Sequence, residues 1–207
     1  IYSGTQILQY EHILSQYRKG LEIGKRAAQI AKRPIRTLDF GGGYGIPYFT
    51  SDQPLNTSAL RSGLEALFSE YNHCPEFNGT QYIVEPGRFL TGESGVYITT
   101  VNDIKISRGR KFVITNGGMH HHLAASGNLG QTIKRNFPVA ILNKLNSELT
   151  ESVDVVGPLC TPLDMLGRSV ELPAPEIGDL LGVFQSGAYA RAASPLGFLS
   201  HCSPAEV

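Results

Sequence analysis

The hydrophobic period changes near residue 92, and this change restricts the fold more than any other feature of the chain. Over 7–30 the apolar residues Ile7, Leu8, Ile13, Leu14, Tyr17, Leu21, Ile23, Ala27, Ala28 and Ile30 recur at mostly helical spacing, and Arg33-Pro34 closes the segment. An apolar run, RTLDF, then reads as a strand over 37–40. A glycine turn follows, then a second helix over 57–71 with Leu60, Leu64, Leu67 and Phe68 on one face, then a strand over 81–85, QYIVE. Helix, strand, helix, strand at these lengths predicts parallel α/β units with crossover helices.

Beyond Gly92 the pattern is β. GVYITTVNDIKISRGRKFVITNGG is rich in β-branched residues and is broken at Arg108-Gly109-Arg110, which predicts a hairpin. PVAIL, VDVVG and LLGVF add short strands between Pro- and Gly-rich connectors. The expectation is therefore α/β plus β: a partial parallel unit over 1–92 and a mostly antiparallel β domain over 93–207. A few parallel units cannot close a barrel, and an open end leaves backbone groups unpaired. Ile1-Tyr2 reads as the end of a strand with no initiating Met, so the native polypeptide is expected to extend upstream.

The 207 residues carry 18 basic and 18 acidic side chains with no cluster of either sign, so no face is suited to a nucleic-acid backbone or an anionic membrane. No apolar run is long enough for a membrane span and the first residues lack a signal-peptide pattern, which gives a cytoplasmic expectation. Three cysteines, Cys74, Cys160 and Cys202, without CxxC spacing predict thiols rather than a disulfide framework or a zinc knuckle.

The stretch DFGGGYG at 39–45 leaves two readings open. Glycines after a buried strand let the backbone approach an anion and aim N–H groups at it, and they equally suit a purely structural turn. Cys160 lies between Gly157-Pro158 and Pro162, in a loop shaped by rigid residues rather than on an apolar helix face, which suits a proton donor. For Cys74 and Cys202 a structural role is expected. His120, His121 and His122 are consecutive, and consecutive side chains fan apart, which disfavours convergence on one metal ion. A substrate contact by one of them, and plain loop structure, both remain.

Five stretches in order, YSGT at 2–5, DFGGGYG at 39–45, VEPGR at 84–88, GPLCTPLD at 157–164 and GDLLGVFQSGAYA at 178–190, resemble the fold-type III pyridoxal-phosphate decarboxylases, the family of ornithine, arginine and diaminopimelate decarboxylases. The resemblance covers essentially the whole chain. It implies the later part of an alanine-racemase-like (β/α)8 barrel that binds pyridoxal 5'-phosphate, followed by the C-terminal β domain. It also implies a homodimer with shared active sites.

The same resemblance implies site residues. Glu85, at the end of a parallel strand where such folds place working groups, would pair with the pyridine nitrogen of the cofactor. The alternative is a carboxylate that only caps a turn before Pro86. Arg88, the backbone of Gly42 and Gly43, the Ser3 hydroxyl and the Tyr189 phenol would hold the phosphate. Cys160 would enter the neighbouring subunit's site and protonate the substrate carbon. The family's Schiff-base lysine and ring-stacking histidine have no counterpart here, and the lysine is expected upstream.

For the substrate, Thr161 stands where the diaminopimelate and ornithine branches carry an acidic residue. A neutral hydroxyl is a poor partner for a distal ammonium. GGMHHHLAASGN at 117–128 also departs from those branches and resembles the branch of the butirosin-pathway decarboxylase, which acts on a glutamyl group held by an acyl-carrier protein, and its relatives in exosortase-associated gene clusters. Thr161 and His121 are the expected substrate contacts. A diaminopimelate- or ornithine-type decarboxylase and a non-catalytic binding homologue are the rival readings.

Overall fold

A computed structural model describes residues 1, 4–49, 51–129, 131 and 134–207. The chain forms two units, Ile1–Leu90 and Thr91–Val207. In the first, helix α1 (Tyr10–Ala31) precedes strand β1 (Thr37–Asp39), and helix α2 (Thr57–Tyr71) precedes strand β2 (Gln81–Ile83). The strands pair in parallel, Leu38 opposite Tyr82.

Helix α1 starts later than its apolar pattern, at Tyr10, because Ile7 is taken into a parallel bridge with Tyr44. Its buried stripe is Ile13, Tyr17, Gly20, Leu21, Gly24 and Ala28. Ile23 and Ile30, which share the periodicity, are exposed. Ile23 sits two residues beyond Leu21, about 200° round the helix and so on the opposite face. Tyr17 stacks on Phe40, centroids 4.1 Å apart, and Phe68 of α2 meets both rings edge-on. Such aromatic pairs add about 0.5–1.5 kcal/mol each to the gain from burial. Gly20 is required by this packing, since a Cβ there would lie 2.9 Å from the Phe40 ring. Helix α2 is capped by Asn56, whose side chain accepts from Ala59 N at 2.9 Å.

The second unit opens with the end of a short helix, α3 (Gly87–Thr91), and is built on six strands: β3 (Tyr97–Ser107), β4 (Arg110–Thr115), β5 (Val139–Ile141), β6 (Glu151–Val156), β7 (Met165–Leu172) and β8 (Leu180–Val183). Their order is β5-β8-β3-β4-β6-β7. Among the described residues of this sheet β4 and β6 pair in parallel and the other neighbours are antiparallel. The β3–β4 hairpin turns at Arg108-Gly109, both with positive φ (51° and 76°), the backbone twist that two-residue hairpins favour. Val101, Val113, Val153, Val155, Leu166, Leu181 and Val183 are fully or nearly fully buried. Each contributes about 1.5–3 kcal/mol by leaving water. The edge strands β5 and β7 approach one another, so the sheet curls towards closure.

Candidate functional site

In the first unit the parallel pairing continues past the strand ends. Phe40 N donates to Ile83 O at 3.0 Å and Glu85 N to Gly41 O at 2.9 Å, which sets the glycine loop beside Glu85 at the carboxyl ends of β1 and β2. Asp39 Oδ1 accepts from Gly41 N at 2.8 Å and fixes the turn. The next two glycines are there for close approach. A Cβ on Gly42 would lie 2.2 Å from Glu85 O, and one on Gly43, at φ +94°, would lie 2.2 Å from Gly4 O.

Three groups of this unit fit a phosphorylated pyridine. Among the described residues the N–H groups of Gly42 and Gly43 donate to no acceptor, and the exposed Glu85 carboxylate has no hydrogen bond or ion pair. Arg88, three residues after Glu85, is half-buried; its guanidinium donates to Tyr48 Oη and lies 5.5 Å from that ring's centroid. Unpaired backbone N–H groups and a guanidinium suit a phosphate, and a carboxylate suits a protonated ring nitrogen. Ser3 lies outside the described residues.

The second unit holds Cys160, Thr161, His121 and Tyr189. Cys160 is exposed in the loop between β6 and β7. Thr161 Oγ1 accepts from Leu163 N at 3.3 Å, and Thr161 O from Asp164 N at 3.2 Å. Asp164, to which the sequence assigned no role, is buried and joins two loops: Oδ1 accepts from Met119 N at 2.6 Å and Oδ2 from Leu159 N at 2.8 Å. Burial pushes its carboxyl up from the ordinary range, and the two backbone donors oppose that shift. Gly118 and Gly157 make room for it, since a Cβ on either would lie 2.1 or 2.3 Å from a carboxylate oxygen.

The three histidines separate. His122 is fully buried; Nδ1 accepts from Ala125 N at 3.2 Å, so Nε2 carries the proton and donates to Ser186 Oγ at 2.9 Å. His120 is also fully buried, 3.9 Å from the His121 ring and 4.7 Å from that of His201, between centroids. Burial pushes both down to about 4, assisted at His120 by His121 and His201. His121 alone is partly accessible. Its Nε2 donates to Cys202 O at 2.8 Å, so Nδ1 accepts from Tyr97 Oη at 3.0 Å. Among the described residues no three His, Cys, Asp or Glu side chains are placed to hold a metal ion.

Cys202 is exposed, so its thiol does not fill a core as expected; its carbonyl orients His121 instead. Cys74 packs against the core of the first unit. Tyr189 is 48% exposed and adopts φ 57°, a left-handed conformation costly for a bulky residue. The loop before it depends on Gly187, where a Cβ would lie 1.7 Å from Thr91 O. Tyr97, Asp164 and His201 escaped the sequence reading. Only Asp164 had a local signal, as the last residue of GPLCTPLD.

The family model of the C-terminal sheet domain of pyridoxal-dependent decarboxylases matches residues 2–187. The chain belongs to this family. Its cofactor is pyridoxal phosphate, and the sheet of the second unit is the C-terminal sheet domain of the alanine-racemase-like decarboxylases. The L-glutamyl-[BtrI acyl-carrier protein] decarboxylase of Niallia circulans is 35% identical over 210 residues, covering 100% of this chain and 49% of that protein. A diaminopimelate decarboxylase of Methanothermobacter thermautotrophicus is 30% identical, over 99% of this chain and 46% of that one. The chain thus spans about half the length of these relatives. The structure of the m. jannaschii diaminopimelate decarboxylase with L-lysine shares the fold, with a TM-score of 0.83 at 24% identity over 98% of this chain and 44% of that one. The Helicobacter pylori enzyme with L-lysine gives 0.71 at 26%, over 92% and 44%. Among the described residues no helix is long and apolar enough to cross a membrane.

Proposed function

We propose that the protein is a pyridoxal-phosphate-dependent decarboxylase acting on a glutamyl or related aminoacyl group held by an acyl-carrier protein. The observation that carries the reading is the unpartnered Glu85 carboxylate beside the unpaired N–H groups of Gly42 and Gly43 at the carboxyl ends of two parallel strands. Bound pyridoxal phosphate supplies a sink for the electron pair left on the substrate carbon as carbon dioxide departs. Glu85 keeps a proton on the ring nitrogen. Gly42, Gly43 and Arg88 grip the phosphate, with Ser3 and Tyr189 as the further donors that the family motifs assign. Cys160, on an exposed loop, returns a proton to the substrate carbon, and the protein works as a cytoplasmic homodimer whose active sites are shared.

The carrier-bound substrate is supported by similarity along the whole chain to a glutamyl-carrier decarboxylase. Thr161, beside Cys160, places a neutral hydroxyl where a free diamino acid would need a carboxylate. His121 is the second substrate contact, held by Tyr97 and Cys202. The test is carbon dioxide release by the full-length protein from glutamyl-loaded carrier protein, free glutamate, diaminopimelate, lysine and ornithine. Release from the carrier-bound group should exceed the others; faster turnover of diaminopimelate or ornithine would sink the assignment.

A further inference from the structure

The second unit contains a small cationic pocket that the decarboxylation chemistry does not use. Its volume is about 150 Å³, and Lys134, Arg135, Arg168, Ser126, Asn136 and Leu163 are among its walls. Three cations line it and no acidic side chain does. Among the described residues neither Lys134 nor Arg168 forms an ion pair.

The walls are held in place. Asn136 and the backbone of Arg168 exchange two hydrogen bonds, at 2.8 and 2.9 Å. The Lys134 stem lies over Gly127, where a Cβ at φ +70° would come within 3.0 Å of it, and its ammonium donates to Asn128 Oδ1 at 2.6 Å. Asn128 in turn donates to Leu163 O at 3.0 Å, joining the lysine to the loop that bears Cys160 and Thr161. Ala125, Pro162, Leu163 and Met165 add an apolar wall beside the charges. Lys134 and Arg168, lining one pocket with no ion pair among the described residues, select an oxyanion with several acceptors. Pro162 lies two positions after Cys160, which puts the pocket within about 7 Å of the proton donor along the chain. It is thus placed to grip a part of the substrate that does not react, the kind of remote contact whose binding energy can be used at the reacting carbon.

We propose that this pocket binds the phosphodiester of the phosphopantetheine arm by which an acyl-carrier protein presents its aminoacyl group, with the apolar wall against the arm's aliphatic portion. The inference rests on the carrier-bound substrate proposed above. It is tested by calorimetric titration of the full-length, cofactor-loaded protein with phosphopantetheine, pantetheine and inorganic phosphate, which requires no turnover. Phosphopantetheine should bind at least ~10-fold tighter than pantetheine, a ratio corresponding to one charge-assisted contact. The preference should weaken with salt and vanish in the double variant Lys134→Gln/Arg168→Gln, whose cofactor absorbance and melting curve should match those of the parent.

Equal binding of pantetheine, or an unaltered preference in a folded double variant, overturns the proposal. If inorganic phosphate binds as tightly as phosphopantetheine, the pocket serves free phosphate and the arm is excluded. Absence of the preference in the parent protein, with glutamyl-carrier turnover present, refutes the pocket alone. A phosphate-dependent preference without glutamyl turnover refutes the glutamyl assignment and leaves the pocket standing for an arm with another aminoacyl cargo.

Discussion

Removing the Asp164 carboxylate should release both loops it holds. Asp164 is 3% exposed, and its oxygens accept from Met119 N and Leu159 N. In Asp164→Ala both donors lose their acceptor inside the protein, at about 1–3 kcal/mol each, so the loss should be about 4 kcal/mol. That is a large part of a typical domain's 5–15 kcal/mol. Asp164→Asn keeps one acceptor oxygen and turns an NH2 group towards the other donor, so it should lose about half as much. The assignment can be isolated with Gly118→Ala. A Cβ there would lie 2.1 Å from Asp164 Oδ1, and Gly118 is not among the glycines with positive φ, so the substitution is opposed by the carboxylate rather than by the backbone. It should cost about 1–3 kcal/mol alone and much less beside Asp164→Ala. Urea unfolding of the four proteins of this cycle measures the coupling. Additivity within about 0.5 kcal/mol, or an Asp164→Ala loss below about 1 kcal/mol, would refute the linkage of the two loops.

Glu85→Gln in the full-length protein should reduce decarboxylation by about 10²-fold or more while cofactor absorbance is retained, because the phosphate contacts remain; equal loss of both would mark Glu85 as structural. Cys160→Ala should leave cofactor binding intact and slow turnover by about 10²–10⁴-fold. If the sites are shared, mixing it with Glu85→Gln under subunit exchange should restore up to about a quarter of the parent activity, one intact site in half of the dimers; no recovery would show that both residues serve the same subunit's site. Stability should fall steeply on acidification. His120 and His122 are held neutral down to about 4 in the folded protein but titrate near 6.5 when unfolded, so the unfolded chain binds two more protons between these values. Their contribution is complete above pH 6.5 and is lost towards pH 4, with a slope of up to about 2.7 kcal/mol per pH unit. Chemical unfolding at pH 7, 6, 5 and 4.5 measures it, and a flat profile would contradict the neutral burial of these rings.

The elements were legible where period and punctuation agreed. Helix α2, the β3–β4 hairpin around Arg108-Gly109 and the strands in PVAIL, VDVVG and LLGVF follow from local pattern. The start of α1 did not, because a tertiary bridge from Ile7 to Tyr44 overrides a helical spacing that is locally sound. The strand read over 81–85 ends at Ile83, after which the Glu85 backbone serves the glycine loop. In the candidate site, residues that carry a motif could be named from the sequence. Tyr97, Asp164 and His201 act through partners 24, 45 and 81 positions away, at His121, Met119 and His120, and no local pattern encodes such pairings. The pair Gly117-Gly118 was similarly opaque, since its reason is the space taken by the Tyr97 hydroxyl and the Asp164 carboxylate.

The strand order has a consequence for synthesis. Strand β3 pairs on one side with β4, which follows at once, but on the other with β8, Tyr97 lying opposite Val183. Those two residues are about 86 positions apart, so at 5–20 residues per second a ribosome needs roughly 4 to 17 s to make the second partner. Throughout that interval the chain around Thr99 and Val101, which ends with 3% and 0% exposure, presents an open, apolar strand edge to the cell. The nascent protein is therefore most vulnerable to aberrant pairing just before its last strand emerges, and a chaperone that covers β3 during those seconds should raise its yield more than one that acts after release.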